Sequence, residues 1–388
     1  MRTLTKEAPL RERSPRDEAF ETVLTMAREN RSKFDSAGRL SKEMVELLRS
    51  AGIYRAMVAR RFGGDEMAPA EFLKLIERIS EADGSVGWVA SFGFSAVYLS
   101  ALPIETLKQM YADGPDIICA GGIFPLQRAV PVDGGLEVSG RWSWGSGSTG
   151  ADLIGVGIRE EGDPARSGLP LVAVMPAEKV QIVENWNVNG LKGTGSHDMV
   201  VDHVVVPREW TFVRGDPSSL DGPLYKYPSL ALAAQVLAVV TLGVARAALD
   251  ELIAIAGGRT SITGAPTLAD RAYVQIDVAK AEASLRSARA FFYEITELAY
   301  ASLEEVGEVT LETNSLLRLA ATNAARVGAD VAQAVYRMAG TTGIFTDHPI
   351  AHHFQDAQIP AQHAFLSEGI WQNAGRILLG LPATPGYP

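Results

Sequence analysis

Three textures of apolar and polar positions follow one another along the chain. From Asp17 to about Tyr111, Ala, Leu, Glu, Lys and Arg dominate, with breaks at Ala37-Gly38, Gly63-Gly64 and Asp83-Gly84. Ser41 followed by Glu43 and Met44 opens one helix, and Pro69 fits the first turn of another. After Gly114 the apolar positions shorten into β-branched runs, among them Ile117-Ile118, Val130, Val132, Leu136, Val138, Leu153 to Ile158, Leu171 to Val174 and Val204 to Val206. Asp133-Gly134-Gly135, Glu161-Gly162-Asp163 and Asn189-Gly190 divide them, which predicts antiparallel strands. After Pro228 long helical segments return near 229–257, 268–306, 311–340 and 360–379. In the third, Leu317, Ala321, Ala324, Gly328, Val331, Val335 and Met338 alternate spacings of four and three and draw one narrow apolar seam. The fold class expected is α+β, mostly α: an N-terminal helical domain (1–113), a central antiparallel β domain (114–213) and a C-terminal four-helix bundle (214–388). The small residues on the seams point to surface buried between subunits, hence a homo-oligomer.

Composition narrows the function classes. The chain has 388 residues, 47% of them apolar, with 36 Lys and Arg against 46 Asp and Glu for a net charge of −10, so disorder is excluded and nucleic-acid binding is disfavoured. A single Cys119 removes any disulfide framework or multi-cysteine zinc site. The charged N-terminus (Arg2, Lys6, Glu7, Arg11, Glu12, Arg13) has no apolar core behind it, so a cytoplasmic location is expected. Ser229 to Ala245 is long and apolar enough to raise a membrane span, but Gln235 and Thr241 lie inside it and Arg246, Asp250 and Glu251 continue the helix. A buried helix of a soluble bundle, with no membrane contact, is the better reading.

Three segments carry candidate chemistry. Trp142 and Trp144 run into Gly145-Ser146-Gly147-Ser148-Thr149-Gly150, a flat apolar wall beside short hydrogen-bonding groups that suits a planar heterocycle such as a flavin; a polar turn flanked by core tryptophans is the plainer alternative. Gly190 to Asp198 is a glycine-rich loop entering a strand; it offers backbone N–H groups and the Thr194 and Ser196 hydroxyls to a phosphate or ring carbonyl, or is an ordinary hairpin loop. His348, His352, His353 and His363 cluster with Asp347 and Asp356; His348 precedes Pro349, which spoils a three-ligand metal face, so no metal is assigned and an acid/base role for one histidine is preferred.

The order of the three units and these motifs resemble the acyl-CoA dehydrogenase superfamily over essentially the whole chain. Ser139-Gly140-Arg141-Trp142-Ser143-Trp144-Gly145-Ser146-Gly147 is similar to the segment in which a tryptophan lies against the flavin and a hydroxyl two residues later bonds near flavin N5. The resemblance thus implies Trp144 as the stacking residue and Ser146 as the N5 partner. It places Gly122 and Ile123, within Gly121 to Pro125, at the ring edge. In typical dehydrogenases a glutamate eight residues after the Asp of an Arg-Asp pair abstracts the substrate α-proton. Here that position is Ala364, and residues 223–249 contain no Asp or Glu either.

His363, seven after Asp356, together with Asp83-Gly84-Ser85-Val86-Gly87-Trp88 and Gly193-Thr194-Gly195-Ser196, resembles the reduced-flavin-dependent monooxygenases of two-component systems. What this implies is a homotetrameric oxygenase component that receives FMNH2 or FADH2 from a separate NAD(P)H:flavin reductase, since no nicotinamide fingerprint is present. Through a C4a-(hydro)peroxyflavin formed with O2 it would hydroxylate a small organic substrate, aromatic or polyketide-like. Trp88 would wall the pocket, Gly193 to Ser196 would hold the flavin, and His363 and Ser146 would be the catalytic groups. Two other readings remain at this stage: N-hydroxylation of an amine or amino sugar, and an acyl-CoA dehydrogenase or flavin oxidase with an unrecognised base. The basic pair usual in the family's last segment is replaced by His352 and Gln355.

Overall fold

Ser14 starts the first helix with a reciprocal cap: its hydroxyl accepts from the Asp17 amide, and the Asp17 carboxylate accepts from the Ser14 amide. A computed structural model of the chain describes residues 14–162, 169–258 and 266–387, so the charged N-terminal segment discussed above lies outside the described residues. The helices that follow the cap are α1 (Pro15–Ala37), α2 (Lys42–Ser50), α3 (Pro69–Ala82), α4 (Gly84–Ser91), α5 (Ser95–Leu99) and α6 (Ile104–Met110). Ser41 accepts from the Met44 amide at the start of α2, and Pro69 occupies the first turn of α3. Every residue of α4 is buried, and Asp83 caps it through the Val86 amide.

The strands β1 (Cys119–Val132), β2 (Gly135–Gly145), β3 (Leu153–Glu160), β4 (Leu171–Pro176), β5 (Gln181–Val183), β6 (His197–Val206) and β7 (Thr211–Val213) form one sheet in the order β5-β6-β2-β1-β3-β4-β7. All neighbours run antiparallel except β1 and β3, which pair in parallel from Cys119↔Leu153 to Ala129↔Glu160. This differs from the wholly antiparallel expectation. β2 lies on one side of β1 and β3 on the other, and the short link from Gly145 to Leu153 starts β3 beside the start of β1, so the two run in the same direction. Turn residues read one hairpin at a time do not specify the side on which the next strand docks.

The C-terminal part contains α7 (Pro223–Lys226), α8 (Ser229–Ala256), α9 (Ala272–Glu305), α10 (Leu311–Ala339), α11 (Pro349–Gln358) and α12 (Glu368–Leu378). The last expected helix is thus shorter than its sequence span. Pro360 and Ser367 interrupt it, and two short 3-10 turns, Pro360–Gln362 and Ala364–Leu366, precede α12. α8 is the long apolar helix, and 83% of its most apolar window is buried inside the chain. The Gln235 amide donates to Thr296 Oγ1 and its carbonyl accepts from the Tyr227 hydroxyl, so both ends of that buried side-chain amide are paired. All seven residues of the α10 seam are buried within this one chain. A Cβ on Gly328 would come within 2.9 Å of the Thr241 carbonyl oxygen, so the small residues serve the α8–α10 approach rather than a subunit contact.

Candidate active site at the meeting of the three units

Trp88, Ser146 and His363 come from the helical, β and C-terminal parts, and the fold brings them together. The Trp88 indole N–H donates to Ser146 Oγ at 3.0 Å, and the Trp88 ring lies 6.3 Å, centroid to centroid, from the His363 imidazole.

The two tryptophans divide between the alternatives, Trp142 in the core and Trp144 at the surface. In a regular strand Trp142 and Trp144 would face the same side. Trp144, however, has φ +63°, and β2 shifts register against β6 between Trp142 and Gly145. Trp142 keeps the inward side of Leu136 and Val138, fully buried and donating to the Gly157 carbonyl at 2.8 Å, while the bulge turns Trp144 outward and leaves it 66% exposed. β1 loses register in the same way between Gly122 and Gln127. Gly122 is buried, Ile123 is half-buried and Phe124, in the same stretch, is 51% exposed.

A chain of hydroxyls fixes Ser146. Thr194 Oγ1 donates to the Leu191 carbonyl at 2.9 Å, which spends its only proton. Ser196 lies 2.7 Å from Thr194 Oγ1 and so must donate to it; Ser146, 2.7 Å from Ser196, must in turn donate to Ser196. With Trp88 donating into it, Ser146 has its proton committed and keeps an acceptor lone pair. Part of the glycine-rich loop packs beneath this relay. The Gly193 amide donates to Ser85 Oγ at 3.1 Å, the Thr194 carbonyl accepts from the Gly147 amide at 2.9 Å, and Gly195 adopts φ +58°.

Burial, reinforced by the nearby Arg214 guanidinium, pushes the His363 pKa down to about 4. The imidazole is therefore neutral near pH 7. Its Nδ1 accepts from the Phe365 amide at 3.2 Å, which assigns the ring proton to Nε2. At neutral pH the free edge of the His363 ring therefore presents an N–H rather than a bare nitrogen.

His352 and Asp356, four apart on α11, do meet, and Asp83 joins them within 4.8 Å. His352 Nε2 lies 3.0 Å from Asp356 and 3.3 Å from Asp83, and its Nδ1 lies 3.2 Å from Asp35. The other Asp356 oxygen accepts from the Leu191 amide at 2.6 Å. Burial alone would push the His352 pKa down, but the surrounding carboxylates outweigh it and hold it well above the usual value. His352 is the cation of a buried ion cluster, with Arg31 adding charge 3.4 Å from Asp83. The adjacent His353, with no carboxylate partner among the described residues, is driven well below the usual value by burial and by Arg31. Sequence reasoning missed Asp35 and Asp83 because they are distant in the chain.

The family model "Acyl-CoA dehydrogenase, C-terminal domain" matches residues 235–368. An indole-3-acetate monooxygenase from Pseudomonas putida is 51% identical over 372 residues, covering 95% of each chain. The chain belongs to the flavin-dependent monooxygenases. It is an oxygenase component of the two-component kind, which uses a reduced flavin and implies a separate flavin reductase. The oxygenase component of a FADH(2)-dependent resorcinol hydroxylase from Rhizobium sp. (strain MTP-10005) is 26% identical over 94% of each chain. XiaF from Streptomyces sp., solved in complex with FADH2 and glycerol, shares the fold with a TM-score of 0.89 at 20% identity, covering 96% of this chain and 98% of that one. In this oxygenase component Ala364, where a dehydrogenase carries its base, is exposed, and the donor beside it is the His363 imidazole.

Proposed function

We propose that this oxygenase component takes FMNH2 or FADH2 from an NAD(P)H:flavin reductase and uses O2 to hydroxylate a small aromatic substrate with an indole-type ring, acting as a cytoplasmic homotetramer. The observation that carries the cofactor assignment is the direction of the hydroxyl relay. A reduced flavin presents an N–H at N5, whereas an oxidised flavin presents a bare nitrogen that needs a donor. Ser146, its own proton committed to Ser196, presents only an acceptor and so fits the reduced ring. Trp144 and Phe124, exposed on neighbouring bulges, offer the flat apolar surface on which the ring would stack. When bound, the reduced flavin supplies the electrons that activate O2. The indole-type ring is supported by the 51% identity to an indole-3-acetate monooxygenase. The homotetramer is supported by exposed apolar residues on one long helix, Tyr273, Ile276 and Leu298 of α9.

The test is anaerobic mixing with FMNH2 or FADH2, then oxygenated buffer containing indole, indole-3-acetamide or indole-3-acetate. A product one oxygen atom heavier is expected from at least one of the three. Reoxidation at the rate of free flavin with no oxygenated product would overturn the reading.

Two variants probe the residues individually. Trp144→Ala is expected to weaken reduced-flavin binding about tenfold in an anaerobic fluorescence titration; an unchanged Kd would remove the stacking role. Ser196→Ala releases the Ser146 proton, so oxidised flavin should gain on reduced flavin and the preference between them should fall about tenfold. A preference unaltered by that substitution would show that the relay does not set it.

A further inference from the structure

Beside His363 lie two buried cations that the relay and the ion cluster do not use. Arg214, which follows β7, and Arg318, on α10, are 8% and 5% exposed. Their guanidiniums lie 5.0 Å and 5.7 Å from the centroid of one ring, that of Phe365. Among the described residues neither forms an ion pair with an Asp or Glu. Arg318 donates to the Phe365 carbonyl at 3.4 Å, its only polar partner among them, and the Nε atoms of both arginines are buried without a partner. The Tyr98 hydroxyl, within electrostatic reach of both, is likewise buried and unpaired. Burial and the neighbouring Arg214 lower the Arg318 pKa, yet a guanidinium stays charged in any ordinary protein setting. The cation–π contacts, to Phe365 and for Arg318 also to the Tyr387 ring at 5.7 Å, return far less than the burial of two like charges costs. Elsewhere the chain pairs its partly buried arginines with acids, as Arg289 with Glu77 and Arg246 with Glu282.

We propose that Arg214, Arg318 and Tyr98 form a carboxylate receptor that orients an aromatic-acid substrate, such as an arylacetate, toward His363. The proposal rests on the hydroxylase reading above and adds the acid group to the aromatic ring. Guanidinium forks match the two oxygens of a carboxylate, and the tyrosine O–H supplies a further donor. Arg214 lies close enough to His363 to act on its protonation, so the anion would sit near the same imidazole. The ring of the substrate would then lie along Phe365, whose own ring is 5.2 Å from His363, and Trp88. An anion there would also offset the repulsion between the two arginines.

Calorimetric titration of the full chain with indole-3-acetate and with its neutral amide, indole-3-acetamide, tests this without turnover. The wild type is expected to bind the acid at least about tenfold more tightly than the amide, and Arg318→Met and Arg214→Met should each reduce that ratio to within about twofold while amide binding is kept. Arg318→Lys, which keeps the charge but loses the fork, should fall between. A midpoint of thermal unfolding for ligand-free Arg318→Met no lower than wild type would support a cation held for a ligand rather than for the fold. Equal binding of acid and amide by the wild type, or variants that retain the discrimination, would overturn the receptor. So would loss of FMN binding in both variants with the acid preference intact, which would assign the arginines to the flavin phosphate. If the receptor fails while indole or the amide is still oxygenated, the hydroxylase reading stands. If none of the three indoles is oxygenated while the acid preference is found, the hydroxylase reading fails and the receptor does not.

Discussion

Replacing His363 with alanine is expected to cut oxygenated product by about a hundredfold, in line with the loss of one preorganised donor at a reacting centre, while reduced-flavin affinity stays within about twofold. The split follows from the geometry. Ser146 and Trp144 present the acceptor and the apolar face proposed for the flavin, and both lie at the end of β2, Trp144 in the strand and Ser146 just after it. His363 reaches the site from the C-terminal part, in ring contact with Trp88. Its Nδ1 is occupied by the Phe365 amide, so what it contributes is the Nε2–H. Because burial and Arg214 hold its pKa near 4, the donor is present throughout the neutral range and is altered only as the pH falls toward that value. A rate profile in single-turnover experiments should therefore show no inflection from this group between about pH 5.5 and 8, whereas an ordinary histidine base would show one near 6.5. Rescue by His363→Gln, whose amide also donates, would support the donor role. Product yield unaffected by His363→Ala would remove the imidazole from the chemistry.

What the sequence made legible was local, and what it hid was long-range. The Trp144-Gly145-Ser146 turn, the Trp88 helix and His363 could each be marked from their own neighbours, and their meeting followed from the resemblance rather than from any spacing. The outward turn of Trp144 could not be read because alternation, which Trp142 obeys, assumes a regular strand, and the φ of +63° at Trp144 breaks it. The direction of the relay depends on one bond, Thr194 to Leu191, that only a folded loop displays. Arg214 and Arg318 looked like ordinary cations among the 36 Lys and Arg of the chain, since a sequence carries no mark for a cation that the fold buries without an acid partner among the described residues. The histidine pair shows the same limit: neighbours in sequence, His352 and His353 titrate in opposite directions because only one of them faces Asp35, Asp83 and Asp356.

His352→Gln is expected to destabilise the fold by about 3–5 kcal/mol at pH 6, the range for breaking a buried ion pair by removing one partner. Three carboxylates from α1, the start of α4 and α11 converge on that imidazole, two of them nearly inaccessible to solvent, and glutamine can hydrogen-bond to them but cannot neutralise them. The pH dependence has a definite sign. A histidine whose folded pKa is raised contributes its full stability below the unfolded value of about 6.5 and loses it progressively as the pH rises through the folded value. The gap between wild type and variant in urea unfolding should therefore be widest at or below pH 6 and shrink toward pH 9; a gap constant across that span would exclude His352 as the charged partner. The consequence reaches the flavin side as well. Asp356 holds the Leu191 amide, Leu191 accepts the Thr194 hydroxyl, and that bond orients the protons of Ser196 and Ser146. Loosening the cluster should thus lower the preference for reduced over oxidised flavin even at a urea concentration where the variant is still folded. A variant that is less stable but keeps the full preference would show the cluster to be a structural clamp with no hold on the relay.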